Sequence, residues 1–333
     1  MFRQNKLRAL MLALVVIALG LSTTSLAVQK KSDKDKDKDK EKVSKPLPEG
    51  TPVMWRDPGD ISTRDLFYGS GGEAGKPDLS NLTLIEKVKT GFSEKYRVRD
   101  AAGNEWVAKV SREAQSETAA VRLLWAVGYV TELTYLAPTV TIPGTPKGTY
   151  TNVRFEGRPK DVKRYDPWPW DKNPFVGKRE FQGLKVMMLL LNNWDIKDDN
   201  NGILHVTTPD GQSELHYIIS DLGATFGKIG SGALWALKRS RNNPEDYAES
   251  KFVKSVNKDR VAFHYGGKMQ NVFEDITVAD VQWLAGLLSK LSDQQISDAF
   301  RAANYTADEV TTLTAAVRAR INELAKLSPP SES

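Results

Sequence analysis

Between Leu82 and Val127 the chain sets out three short strand-like runs and then a helical one, and this order restricts the fold more than any other feature. Leu82 to Val88 and Lys95 to Arg99 read as strands around Thr90-Gly91, and Ala101-Ala102-Gly103-Asn104 is turn chemistry leading into a third strand, Glu105 to Val110. Parallel neighbours need a crossover of a dozen or more residues, so strands joined by turns this short pair antiparallel. Ser116 to Val127 then places Ala120, Val121, Leu124 and Val127 at helical spacing and stops at Gly128. Two more strands, Pro138 to Ile142 and Thr151 to Phe155, flank a Pro-Gly-Thr-Pro-Lys-Gly turn. The order expected to this point is β-β-β-α-β-β.

The second half reads as mainly α. After a Pro- and Trp-rich loop, residues 165–175, the run Lys178 to Leu191 is dense in Leu and Met and reads as a buried helix. Ile203 to Val206 and Leu215 to Ser220 flank Pro209-Asp210-Gly211, a hairpin signal. Near the C-terminus Thr277, Ser292 and Thr306 each stand three residues before Asp280, Gln295 and Glu309, the spacing of a helix-starting capping box or close to it. In the last of these helices Val310, Leu313, Val317, Ile321 and Leu324 form one apolar stripe. Residues 228–270 are assigned only as an insertion or activation-like segment of the second lobe.

The N-terminus has the three parts of a secretory signal: Arg3, Lys6 and Arg8, an apolar run from Ala9 to Leu21, and Ser25-Leu26-Ala27 as the cleavage site. The expected mature chain begins at Val28 and is exported, to the periplasm or the medium. Membrane association is expected only if the signal segment is retained. From Lys30 to Lys45 Lys alternates with Asp or Glu around a single Val, so too little apolar surface exists to offset ordering, and a disordered tether is expected. The absence of Cys removes disulfides and thiolate chemistry. Three Lys or Arg in the signal, and eight Lys against five acids in residues 28–46, account for more than the whole chain's net +5 and leave −1 for residues 47–333. With no basic stripe there, nucleic acid is excluded as a partner.

Moving a phosphoryl group requires a cation on the phosphates, oxygen ligands for a divalent metal and a carboxylate near the acceptor hydroxyl. Lys109 lies in the strand Trp106-Val107-Ala108-Lys109-Val110, which would hold its ammonium over a cleft; Glu117 opens the next helix and could pair with it, with Glu113 as the fallback. Asp195 follows the buried helix in Asn193-Trp194-Asp195-Ile196-Lys197-Asp198-Asp199-Asn200, the D-x-x-x-x-N spacing that puts a base and a metal-binding amide on one loop, and Asn201 could replace Asn200. Asp221 begins Asp221-Leu222-Gly223 beyond the hairpin, which would bring it and Asn200 to one metal; hard oxygen ligands of this kind suit Mg²⁺.

In this order the residues resemble the protein-kinase-like superfamily, with its V-A-I-K strand, H-R-D-x-x-x-x-N loop and D-F-G. The likeness spans roughly Leu82 to Lys228. Asn193-Trp194-Asp195 in place of H-R-D, and Leu222 in place of Phe, are more similar to atypical branches such as HipA-type serine kinases, type II phosphatidylinositol kinases and secretory-pathway kinases. The resemblance implies a two-lobed α+β fold, with a small β-rich lobe at 49–157 and a larger α lobe at 158–327, between a signal peptide (1–27) and linker (28–48) and a short tail (328–333). It implies Lys109 as the phosphate lysine, Glu117 as its partner, Asp195 as the base and Lys197 as a lysine on the transferred phosphate. Asn200 and Asp221 would be the metal ligands, for ATP or another nucleoside triphosphate with Mg²⁺ or Mn²⁺. The glycine-rich loop is reduced to Gly91, on which phosphate cover would rest, and no A-P-E follows Asp221.

Other features read more plainly. Gly69-Ser70-Gly71-Gly72-Glu73-Ala74-Gly75-Lys76-Pro77 lacks the spacing and hydroxyl of a P-loop and reads as a flexible loop. Trp168 and Trp170 would pin their loop to the core or, as the rival, stack on a sugar or base. Three scattered histidines make no zinc triad, and no G-x-S-x-G supports a hydrolase. The expected function is an exported phosphotransferase with a protein, lipid, sugar or small-molecule acceptor. The alternatives are an inactive scaffold that binds a protein or glycan, and nucleotidyl transfer from the same pocket.

Overall fold

The computed structural model describes residues 46–89, 93–230 and 238–328. The signal segment, nearly all of the linker, Gly91 and the tail beyond residue 328 lie outside the described residues. The strands in chain order are β1 (Thr51–Val53), β2 (Thr83–Val88), β3 (Glu94–Arg99), β4 (Glu105–Val110), β5 (Thr134–Thr141), β6 (Thr149–Gly157), β7 (Lys163–Tyr165), β8 (Asn201–Thr207), β9 (Ser213–Ile219), β10 (Val253–Asn257) and β11 (Arg260–Phe263). The helices are α1 (Ala114–Ala126), α2 (Arg179–Leu190), α3 (Pro244–Glu249), α4 (Val278–Leu288), α5 (Asp293–Ala302) and α6 (Ala307–Ala325).

The first lobe is a five-stranded antiparallel sheet in the order β2-β3-β4-β6-β5, with α1 inserted between β4 and β5. Its turns carry the chemistry the sequence promised. The Asp100 carboxylate accepts from the Asn104 amide at 2.8 Å and from the Trp106 indole at 2.9 Å, so one turn residue also fixes the strand's largest core side chain. Gly128, at φ +99°, ends α1 with its amide on the Trp125 carbonyl at 3.0 Å, while Tyr129 N reaches back to Leu124 O at 3.2 Å.

The second lobe is α2 to α6 with two small sheets. All three capping boxes form, at Thr277/Asp280, Ser292/Gln295 and Thr306/Glu309, and the whole stripe Val310, Leu313, Val317, Ile321 and Leu324 is buried. The hairpin β8-β9 joins a four-stranded sheet ordered β1-β9-β8-β7. Thr51–Val53, at the start of the 49–157 span expected for the first lobe, instead adds a parallel strand to the second lobe's sheet. Within residues 228–270 the structure places α3 and the antiparallel hairpin β10-β11, strands absent from the mainly α expectation.

Among the described residues two large hydrophobic cores result, beside a small cluster of Trp194, Ala224 and Ile229. The sheet of the first lobe closes over Tyr96, Val98, Trp106, Ala108, Val153 and Phe155. The larger core is continuous through α2 to α6 and takes in Ala119, Ala120, Leu123 and Leu124 of α1, so this helix packs with the second lobe as well as with its own sheet. The glycine segment at 69–77 is packed: a 3-10 turn begins at Gly69, and Tyr135 OH donates to Gly72 O at 2.7 Å.

Candidate active site

Lys109 is the next-to-last residue of β4, paired in register with Lys95 on β3 and Arg154 on β6. Directly paired residues share a face of a sheet, so three cations stand side by side. Lys109 is buried, with Nζ 2.5 Å from Glu117 Oε1 and 3.4 Å from Glu113 Oε2. Of the two glutamates left open by the sequence, Glu117 is the nearer. Its other oxygen lies 3.0 Å from Arg154 Nε, and Arg154 Nη2 reaches Glu156 at 2.7 Å. Burial pushes the Glu117 carboxyl up, outweighing the pull of Arg154 and Lys109.

Asp221 follows the apolar end of β9, and its backbone amide donates to the Asn200 carbonyl at 3.1 Å. A carboxylate oxygen from each of Glu113, Glu117 and Asp221 falls within 4.8 Å of the others. Burial works to raise the Asp221 carboxyl, but Lys109, the Gly223 amide at 3.1 Å and Arg154 prevail and hold it below the usual carboxylate range. Gly223 is needed here for closeness: a Cβ on it would stand 2.7 Å from the Glu113 side chain and displace that group from the cluster. Ser116 Oγ donates to Gly223 O at 3.0 Å, locking α1 to the segment after Asp221.

The loop bearing Asp195 leaves α2 through Asn192, whose φ of +53° turns the chain. Arg320, buried in α6, donates to Leu190 O at 2.8 Å and to Asn192 Oδ1 at 2.9 Å and so fixes that exit. Asn200 Nδ2 donates to Asp195 O at 2.8 Å, which leaves the amide's oxygen as its acceptor end. Asn201 is engaged elsewhere, with Nδ2 on Trp168 O at 2.7 Å. Asp195 itself pairs through one oxygen with Lys268 and through the other with Lys197 at 3.7 Å.

Of the residues singled out in the sequence, Lys109, Glu117 and Asp221 thus form one cluster, with Asn200 joined to Asp221 by backbone and to Asp195 by its amide. Asp195 makes its ion pairs with Lys197 and Lys268 and, among the described residues, none with the Lys109 cluster. Gly91 lies outside the described residues. Lys95, Arg154, Lys268 and Arg320 were not singled out. The first two stand at register positions of the antiparallel strands that face Lys109 and so could have been found by pairing β3, β4 and β6; the other two depend on folding of distant segments. Trp168 and Trp170 are 1% and 2% exposed and Trp168 Nε1 donates to Ile218 O at 2.9 Å, so both indoles pin the loop and present no stacking face.

A divalent ion with a triphosphate is the group this arrangement would serve. The donor set fits it: Asp221, whose carboxyl is held below the usual range, and the acceptor end of Asn200 are hard oxygen ligands, and the Lys109 ammonium is close enough to Asp221 to favour its ionised form.

The β-β-β-α-β-β lobe and the mainly helical second lobe make a two-lobed α+β fold, as the protein-kinase-like resemblance implies. No protein-family profile and no curated protein matches the sequence. Among solved structures the chain is similar to a Helicobacter pylori proinflammatory kinase, CtkA, at 12% identity over 75% of this chain and 97% of that one, with a TM-score of 0.48. It is also similar to Rio2 kinase of Chaetomium thermophilum, in a complex with ADP/Mg²⁺ and phosphoaspartate, at 13% identity over 72% and 71%, with a TM-score of 0.31.

Proposed function

We propose that this chain is an exported kinase-like phosphotransferase that uses a metal-bound nucleoside triphosphate. One observation carries the reading: Lys109 and Glu117 from the first lobe meet Asp221 from the second, with the carboxylate oxygens of Glu113, Glu117 and Asp221 within 4.8 Å of one another. The cluster gathers three carboxylates around the Lys109 ammonium, a setting into which a divalent ion would bring further compensating charge.

In the reaction Asp221 and Asn200 would hold Mg²⁺ or Mn²⁺, which neutralises charge on the phosphates being transferred. Lys109, oriented by Glu117, would fix the phosphates; Glu117 is itself held by Arg154. Asp195 would accept the proton of the acceptor hydroxyl, after release from one of its two ammonium partners. Catalysis is then mainly positioning and charge stabilisation. Export rests on the signal-like segment at 1–27. Among the described residues no helix is long and apolar enough to cross a membrane.

The engagement of both Asp195 oxygens favours a second reading, a scaffold of the same fold without phosphoryl transfer. Thermal-shift titration with ATP and Mg²⁺ or Mn²⁺ tests nucleotide binding. Stabilisation by the pair together but not by either alone supports the site; no shift with any of them removes it. Mass analysis of a labelled product then distinguishes phosphoryl from nucleotidyl transfer, and binding without product leaves the scaffold.

A further inference from the structure

A segment that the mechanism above does not use is tied to the loop carrying Asp195. It follows β11 and leads into a 3-10 turn at Gln270–Phe273. Within it Lys268 N donates to Trp194 O at 3.0 Å, and Tyr265 OH reaches both Asn193 O at 3.1 Å and Lys268 O at 3.0 Å. Gly267 is needed for closeness: a Cβ on it would stand 2.7 Å from Trp194 O. Met269 holds φ at +50°, a left-handed conformation that is costly without glycine, and the Tyr265 ring is set against Phe273 at 4.5 Å.

These ties fix the backbone of Lys268, and its ammonium pairs with Asp195 Oδ1. The other oxygen, Oδ2, lies 3.7 Å from Lys197 Nζ, beyond hydrogen-bond distance. The two oxygens are therefore held unequally: one is pinned from a distant segment, and the other faces a looser partner on its own loop. An ion pair with side chains 42% and 23% exposed adds little to stability, so stability alone does not account for a strained residue and a close-packed glycine on either side of Lys268.

We propose that Lys268 is a positioning residue for Asp195: it holds Oδ1 and so presents Oδ2 to the acceptor hydroxyl, and Lys197 is the ammonium that moves off as the phosphoryl group arrives. The proposal rests on the phosphotransferase reading. In the step itself the acceptor oxygen bonds to the γ phosphorus as the bond from that phosphorus to its bridging oxygen breaks. The acceptor proton passes to Oδ2, and the bridging oxygen leaves on the nucleoside diphosphate. A base held in place by a third group is the general arrangement for activating a hydroxyl, and here the third group is an ammonium anchored on the base's own loop.

ADP release from Mg²⁺-ATP by the full chain tests this without an identified acceptor, because transfer to water and to the chain itself both count. Wild type is compared with Lys268→Gln, Lys268→Met, Lys268→Arg, Asp195→Asn and the double variant of Lys268→Gln with Asp195→Asn. Gln and Met remove the ammonium and leave the backbone ties, so both variants should melt as wild type does. In both, kcat is expected to fall at least about fivefold with KM for ATP within about twofold, whereas Lys268→Arg keeps a charged donor and should fall by less than that. Lys268→Gln should add no loss to Asp195→Asn, because the two residues act as a unit. A smaller fall in both Lys268→Gln and Lys268→Met would overturn the proposal, and so would a rise, which would show the ammonium standing in the acceptor's place. An equal further loss in the double variant would also overturn it, by placing the effect elsewhere than Asp195. In each of these cases ADP release by wild type leaves the phosphotransferase reading standing. If ATP binds and neither wild type nor any Lys268 variant releases ADP, that reading falls and takes the proposal with it.

Discussion

Lys109 Nζ lies 2.5 Å from Glu117 Oε1, yet the strand carrying the lysine and the helix carrying the glutamate pack into different hydrophobic cores. Trp106 and Ala108 of β4 belong to the sheet's core, whereas the apolar face of α1 belongs to the core that runs through the second lobe. The ion pair therefore ties the sheet to a helix that the larger lobe holds, and movement of the sheet would be felt first at this contact.

Glu117 is held by two cations and Lys109 chiefly by one short contact, so their removal should not cost the same. Glu117→Gln leaves buried Lys109 with Glu113 alone and buried Arg154 with Glu156 alone, and is expected to destabilise by about 3 kcal/mol. Lys109→Gln leaves Glu117 with Arg154 and should cost less. Urea unfolding of the two variants gives the order directly; a larger loss for Lys109→Gln would contradict this account of the network.

Asp221 carries a pH signature. Its folded pKa is below that of the unfolded chain, so its contribution is present above the unfolded value, about 3.9, and is lost as pH falls through the folded one. The stability difference between wild type and Asp221→Asn should hold steady from pH 7 to 5 and shift against wild type below about pH 4. The same variant should lose ATP-dependent stabilisation in Mg²⁺. Urea titrations from pH 3 to 7 measure the first effect, and a pH-independent gap would show that Asp221 is not held ionised by its neighbours.

Lys95 stands across from Lys109, about half buried, and among the described residues no carboxylate lies within 4 Å of it. Burial, then the charge of Lys109, lowers its pKa, so in the protein alone it has little to stabilise. If the site holds a nucleoside triphosphate, the Lys95 ammonium beside Lys109 would be a further phosphate donor. Lys95→Gln should leave the melting temperature within about 2 °C of wild type and weaken ATP roughly tenfold, the loss of one charge-assisted hydrogen bond. Unchanged affinity, read by calorimetry, would leave Lys95 without that role.

Trp168 holds its loop to the core. Trp168→Ala removes a large buried side chain and a hydrogen bond to Ile218 O, and should cost about 3–5 kcal/mol. A denaturation curve that barely moves would show that the indole is not packed as described.

Sequence alone determined the local parts of this protein. The three capping boxes, the stop at Gly128, the Asp100–Asn104 turn and the stripe on α6 follow from residues a few positions apart, where side chains meet their own backbone and need no distant partner. The hairpin β10-β11 was not legible: its turn carries Lys258 at φ +53°, where Gly, Asn or Asp would have announced it, and packing overrides that cost. Tertiary structure decided which glutamate stands nearer to Lys109, that Asn200 and not Asn201 faces Asp195, that β1 crosses to the far lobe's sheet and that Lys268 meets Asp195. Lys109 and Glu117 are eight residues apart and Asp195 and Asn200 five, yet each contact depends on how separate elements or a loop are folded together, and β1 and β9 meet across more than 150 residues; none of these leaves a periodic trace in the sequence.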